Sequence, residues 1–372
     1  MNTHIDMEPP MTTTANEDSL SISRQRIMDY GRLLTLLGNY KSPTTWPVPV
    51  MLRNLPEIAR IKELRAQGEL PTPPADRTLS AEISTWQRIF TGVASECGSN
   101  ARFLNALDLQ TAYLRYENMG GTLIQTTQAL EQILLGTDLS DDLPAHLFMP
   151  PFTALYLHFT PYAAKALRVP AEFGVDGDTS GVFFLSDFAP SGLRRFYLIA
   201  TLNRKNLPLC FMGTSFTLFD GESHTLNDAI EAVVTDGTSA SADWNKRMLG
   251  MVAKVFLYMG MKESRQVMET PQKDMQARLA LLGNKKRSKL ERQCERLYDR
   301  ISVGPEFLPQ ELQGDGYGQH TVAPHWRRGH FKMQPYGPKS ALRKMLFVMP
   351  TLIGKDRLGN QEMPAPKTYK VG

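Results

Sequence analysis

The sequence predicts an α+β fold: a helical N-terminal part, an antiparallel meander packed on core helices, and a basic C-terminal region. Three observations predict it. Apolar residues recur at helical spacing up to about residue 140. Four segments rich in β-branched and aromatic residues then follow, two of the joints between them short and turn-like. Finally, residues 284–372 carry 17 Lys/Arg against 8 Asp/Glu, whereas residues 1–283 carry 25 against 30. The divisions drawn from this are a disordered leader (1–20), a helical region (21–140), an α+β core (141–283) and a basic C-terminal region (284–372).

Residues 1–19 are polar and lack an apolar h-region, which argues against a secretory signal. A first helix is predicted from Ile22 to Leu37, and another from Leu55 to Leu70. Prolines 43, 47 and 49, and 71, 73 and 74, are expected to interrupt helix on either side of the second, since proline lacks the N–H and restrains its predecessor. Two more helices, Ser80–Glu96 and Asn100–Glu117, complete the helical part. Strands are predicted over Phe152–Phe159, Gly181–Phe188, Arg195–Leu202 and Leu207–Phe219. The joints 189–192 and 203–206 have turn composition, which makes the four an antiparallel meander.

Helix then returns. Thr225 caps the first, with Asp228 three residues on facing the positive helix end. Ser241 caps the second, which runs to about Lys262; Met248, Leu249, Met251, Val252, Val255, Phe256 and Leu257 make it apolar on nearly every face, a central core helix. Asn284–Arg300 reads as a basic helix, and Met345–Ile353 as a last strand.

The apolar stretch around Met248–Met261 is broken by Lys254 and too short to span a bilayer, so no membrane partner is expected. Cysteines 97, 210 and 294 lie far apart, which fits a reducing cytoplasm. There is no GxxxxGK[ST], GxGxxG or GxSxG string, so nucleotide, dinucleotide and hydrolase chemistry receive no support. No cofactor is expected.

The charge split points to phosphate, and the leading site candidate is Pro324-His325-Trp326-Arg327-Arg328-Gly329-His330. His325 and His330 supply groups that titrate near neutrality, and Arg327 and Arg328 supply forked donors for phosphate. Gly329 lets the backbone approach a phosphate or take positive φ, and Lys332 extends the basic run. Three readings follow: a metal-independent ribonuclease with His330 and His325 as acid and base; non-catalytic contact with RNA or the ribosome; or a turn that serves only structure. A metal site from His320, His325 and His330 has the wrong spacing and no completing ligand. Lys285, Lys286, Arg287, Lys289, Arg292, Arg296 and Arg300 are arranged to line one helix face along a phosphate backbone, with Glu291, Glu295 and Asp299 among them. Phe188, Phe196, Tyr197, Phe211, Phe216 and Phe219 read as core rather than a base-stacking surface. Asp176–Gly181 reads as a turn, not a calcium loop. No helix-turn-helix is visible, leaving only the basic region to argue for a DNA-binding accessory protein.

The Pro-His-x-Arg-Arg-Gly-His string at 324–330, followed by Phe331, Lys332, Tyr336 and Gly337, resembles the signature of a phage and plasmid family that includes a type V-A anti-CRISPR protein. Leu346–Pro350 with Ile353-Gly354 resembles that family's closing strand. Residues 112–116 followed by 121–124 resemble one of its helix-to-strand junctions, and residues 142–150 resemble its entry into a strand. The resemblance implies a mobile-element protein in the bacterial cytoplasm. It would recognise the nascent N-terminal peptide of a type V-A CRISPR effector nuclease as it leaves the ribosome, and the effector's mRNA would then decay. The implied partners are that peptide and the mRNA or translating ribosome; no residue places the peptide site, and the oligomeric state is not specified.

Overall fold

The computed structural model describes residues 24–40, 46–70, 79–91, 101–170, 177–188, 194–203, 210–218, 225–234, 239–281, 284–308 and 325–353. The helical part comprises α1 (Arg24–Gly38), α2 (Val48–Arg53), α3 (Pro56–Ala66), α4 (Leu79–Thr91) and α5 (Ala101–Asn118). The expectation that the prolines keep 41–50 free of helix is corrected: α2 begins directly after Pro47 and places Pro49 in its first turn, where the missing N–H has no intrahelical partner to lose.

The chain then builds β1 (Thr122–Thr126), α6 (Gln128–Leu135), β2 (Thr137–Leu139), β3 (Ala154–His158) and α7 (Pro161–Ala166). β4 (Asp178–Phe188), β5 (Arg194–Asn203) and β6 (Cys210–Leu218) follow as long strands. Next come α8 (Leu226–Val234), α9 (Ser239–Met259), β7 (Gln266–Glu269), α10 (Pro271–Ala280), α11 (Asn284–Arg296) and β8 (Arg300–Val303). The last described elements are β9 (His325–Arg327), β10 (Gly329–Tyr336), β11 (Leu342–Val348) and β12 (Thr351–Ile353).

Seven strands form the main sheet in the order β6-β5-β4-β3-β1-β8-β7. The predicted meander is present as β3 to β6, each antiparallel to the next. β1 was missing from that count and pairs in parallel with both β3 and β8. The fold is therefore α+β with a mixed sheet. Asp178–Gly181, read as part of a turn, opens β4, and Asp178 pairs with Arg168 at 3.1 Å.

Strand alternation divides the sheet between two cores. Leu155, Leu157, Val182, Phe184, Leu198 and Ala200 face α6 to α9; Tyr156, Phe183, Leu185, Tyr197 and Ile199 face the helices of the N-terminal part. Helix α9 lies in the first core as its sequence requires, with Met248, Val252, Val255 and Phe256 buried. Phe196 and Tyr197 are likewise core residues; the side chains of Phe188, Phe211, Phe216 and Phe219 lie outside the described residues. The cap of α8 forms reciprocally: Thr225 N–H donates to Asp228 Oδ2 at 2.9 Å, and Asp228 N–H to Thr225 Oγ1 at 3.1 Å.

The basic helix is shorter than predicted. It ends at Arg296, and Arg300 opens β8, donating to Glu269 at 2.5 Å with its guanidinium 5.3 Å from the Tyr298 ring centre. Residues 300–303 thus lie inside the main sheet, beyond the division drawn at 284. The predicted strand Met345–Ile353 is two, β11 and β12, divided at Met349-Pro350.

Candidate nucleic-acid interface

The His/Arg segment is held by α6 and β2, two elements with little sequence signal. Thr127 caps α6 by accepting from Leu130 N–H at 3.2 Å, and the helix runs only to Leu135 before β2 starts. β10 pairs in parallel with β2, Gly329 opposite Thr137, His330 opposite Asp138 and Phe331 opposite Leu139. β11 returns antiparallel on the other side, with His330 opposite Val348 and Tyr336 opposite Leu342. A two-stranded ribbon results, anchored at one end to the core.

The anchor is apolar on one face. Phe331 is fully buried and stacks on Phe347, ring centres 4.4 Å apart and 13° from parallel. Met333, Met345 and Phe347 pack on the same core. Gly329 does not keep its backbone open for phosphate: its N–H donates to Gly136 O at 3.0 Å, and a Cβ would sit 2.7 Å from Pro350 Cδ and 2.8 Å from Thr137 Oγ1. It is glycine because the protein's own chain approaches there, and its φ is not positive.

Period-two alternation puts Arg328, His330 and Lys332 on the opposite face, together with Asp138 across the β2 pairing. Arg328 Nη1 donates to both Asp138 oxygens at 3.0 Å, a contact that ties the motif to β2. Arg327 is exposed and His330 and Lys332 are half-buried; none of the three side chains has a hydrogen bond or ion pair to a described residue. β9 pairs with β12, Arg327 opposite Thr351 and His325 opposite Ile353. The side chains of His325, Lys285, Lys286 and Lys289 lie outside the described residues, as does all of His320. Arg292 and Arg296 are exposed on α11, which packs on α10 rather than on the ribbon's anchor; Arg287 pairs with Glu291 at 2.8 Å.

Sequence reasoning noted Lys254 as an interruption and missed its role. Its ammonium is buried and donates to Leu134 O at 2.7 Å and Thr137 O at 2.9 Å, where α6 turns into β2. Burial pushes its pKa down to about 8, with Asp138 opposing that shift and Arg328 adding to it. Lys254 on α9 thus braces the turn whose far side, Asp138, receives Arg328. A lysine alone within the apolar run from Met248 to Met259 was the available signal. Glu131 braces the other end of α6: Oε1 accepts from Thr126 Oγ1 at 2.6 Å and Thr160 N–H at 2.7 Å, Oε2 from Thr160 Oγ1 and Ala163 N–H. Burial raises its pKa, and those donors oppose the shift. Among the described residues no group of three His, Cys, Asp or Glu is placed to hold a metal ion, and no helix is long and apolar enough to cross a membrane.

The fold and this face define an α+β protein that docks a cationic two-stranded ribbon beside its main sheet. The chain belongs to the AcrVA2-like family: the model of the anti-CRISPR type V subtype A2 family matches residues 124–355, more than half of its length. That match starts in β1 and includes the whole ribbon. Among solved structures, the one described as "Crystal structure of AcrVA2" aligns with a TM-score of 0.42 at 14% identity, covering 78% of this chain and 91% of that one. No curated protein sequence matches the chain.

Proposed function

We propose that the protein is an anti-CRISPR factor that recognises the nascent N-terminal peptide of a type V-A effector nuclease and brings about decay of the effector's mRNA. The observation that carries this reading is the coincidence of family and site: the family match spans the ribbon that presents Arg328, His330 and Lys332 on one face. In this reading Arg327, His330 and Lys332 contact RNA or the ribosome, His325 supports them, and Arg328 holds the motif in register through Asp138. The peptide half has a suitable element in β7, an edge strand of the main sheet whose Val267 and Met268 are exposed. An extended peptide adds to such an edge by main-chain hydrogen bonds.

Effector mRNA, measured by quantitative PCR in bacteria co-expressing a type V-A nuclease, tests the proposal. Wild type should deplete both the native transcript and one recoded with synonymous N-terminal codons. It should spare a transcript whose N-terminal peptide is altered, and His330→Ala should deplete neither. Equal transcript levels with wild type and empty vector would overturn it. A second reading, ribonuclease activity of the segment itself, is favoured by His330 lying between Arg328 and Lys332 without a described hydrogen-bond partner. Cleavage of naked RNA by purified wild type but not His330→Ala would establish that reading, and intact RNA would remove it.

A further inference from the structure

We propose that the free end of the β10–β11 ribbon is a single-stranded RNA contact, with Lys339, Arg343 and Lys344 on phosphates and Tyr336 against a base. This deepens the RNA half of the reading above and assigns it to residues beyond the His/Arg motif.

Charge is the first ground. From residue 316 to residue 355 there is no Asp or Glu, while seven Lys/Arg occur. Among the described residues, the acids of β2 and the turn after it are engaged at or away from the anchored end. Asp138 holds Arg328, Asp142 accepts from Ser140 and Asp141 from Asn227. β2 pairs only with Gly329, His330 and Phe331, so the pairs Gln334–Lys344, Pro335–Arg343 and Tyr336–Leu342 lie beyond it. Lys339, Arg343 and Lys344 are exposed and form no ion pair with a described residue.

Shape is the second. The tip, Gly337 to Ala341, places Lys339 at φ 54° and Ser340 at φ 56°, the only non-glycine residues with positive φ among those described. Side chains disfavour that region, and strain of this kind collects at ligand-contacting sites. Neither residue is buried, so the core gains nothing from it. Tyr336 is 44% exposed, with the Lys344 ammonium 5.7 Å from its ring centre, and Leu342 opposite it is 50% exposed. Lys344 shares the face of Tyr336 and Arg343 lies on the other, so cations flank an exposed aromatic at the ribbon's end, an arrangement that binds single strands without sequence preference.

The test is fluorescence anisotropy of a labelled 20-nucleotide oligouridylate with the full chain across a salt series. Wild type should bind with an affinity that falls with salt. The triple variant Lys339→Ala, Arg343→Ala, Lys344→Ala should bind at least tenfold more weakly at low salt, with a slope of log K against log salt shallower by about 2, at roughly 0.7 per lost phosphate contact. Tyr336→Ala should lose affinity while keeping the slope. Unchanged circular dichroism and melting would show that the variants fold. Triple-variant binding within twofold of wild type with an equal slope would overturn the proposal. So would wild type that ignores RNA, including wild type that instead binds polyglutamate. Transcript depletion by the triple variant at wild-type level would also overturn the ribbon assignment and leave the functional reading standing. Ribbon-dependent RNA binding without transcript depletion would do the reverse.

Discussion

Two basic elements follow residue 284, and they dispose of their charge differently. Helix α11 carries part of its own counter-charge: Glu291 and Glu295 sit among its six cations, and Arg287 is paired with Glu291 one turn away. The ribbon contains no acid at all, and the ion pair of Arg328 with Asp138 is made with another element at the ribbon's root. A helix whose acids lie among its cations attracts polyanions less than those cations alone would. A ribbon whose described ion pair sits at its anchored end leaves the exposed cations of its tip for a contact outside the described residues. The placing of the counter-charge, and not only the number of lysines and arginines, distinguishes the two elements.

The comparison can be broken most forcefully at the anchor. Phe331→Ala should destabilise the protein by about 3–5 kcal/mol in urea unfolding, because a fully buried ring stacked on Phe347 is lost. A loss below 1 kcal/mol would mean that the ribbon is not part of the core. Gly329→Val should cost about 1–3 kcal/mol, since Pro350 and Thr137 occupy the space its side chain needs. If it unfolds like wild type, the parallel pairing with β2 is not as tight as described.

Lys254 sharpens the comparison through pH. Its folded pKa, about 8, lies below that of an unfolded lysine, so the unfolded chain binds more protons between pH 8 and 10.5 and stability rises with pH across that window. Relative to Lys254→Met, wild type should gain on the order of 1–2 kcal/mol from pH 8 to 10. A flat difference would show that the lysine is solvated. The smallest effects concern surface charge. Arg328→Ala should cost about 0.2–1 kcal/mol, and that loss should vanish in an Asp138→Ala background. Arg287→Ala on α11 should change stability by about 0.3–0.5 kcal/mol. It should leave the salt slope of oligouridylate binding where it is; a slope lowered as far as by the ribbon variants would erase the distinction between the two elements.

Local chemistry was legible and distant pairing was not. The Thr225–Asp228 cap, the all-round apolar pattern of α9 and the β3–β6 meander each follow from residues close in sequence, and each is present. The elements that seat the motif were missed. α6 has eight residues and β2 three, too short to impose a period, and β2 meets β10 only through a pairing that spans most of the chain. Arg300, the first residue of β8, was read as the end of a basic helix because it continues a four-residue charge ladder. The strand's place beside β1 depends on Ile301 and Val303 finding the same core as Ile124. The motif itself stood out by composition, while the use of Gly329 for close packing and Arg328 for anchoring required the neighbours that only the fold supplies.

The seat of β8 has a bearing on how the chain is made. β1 and β3 can pair soon after synthesis, but the other side of β1 waits for Ile301, encoded far downstream, before Ile124 gains its second neighbour. Contacts so distant in sequence slow folding and leave an open strand edge in the meantime. During its own translation the protein therefore carries an open edge at β1, covered only as the last quarter of the chain emerges.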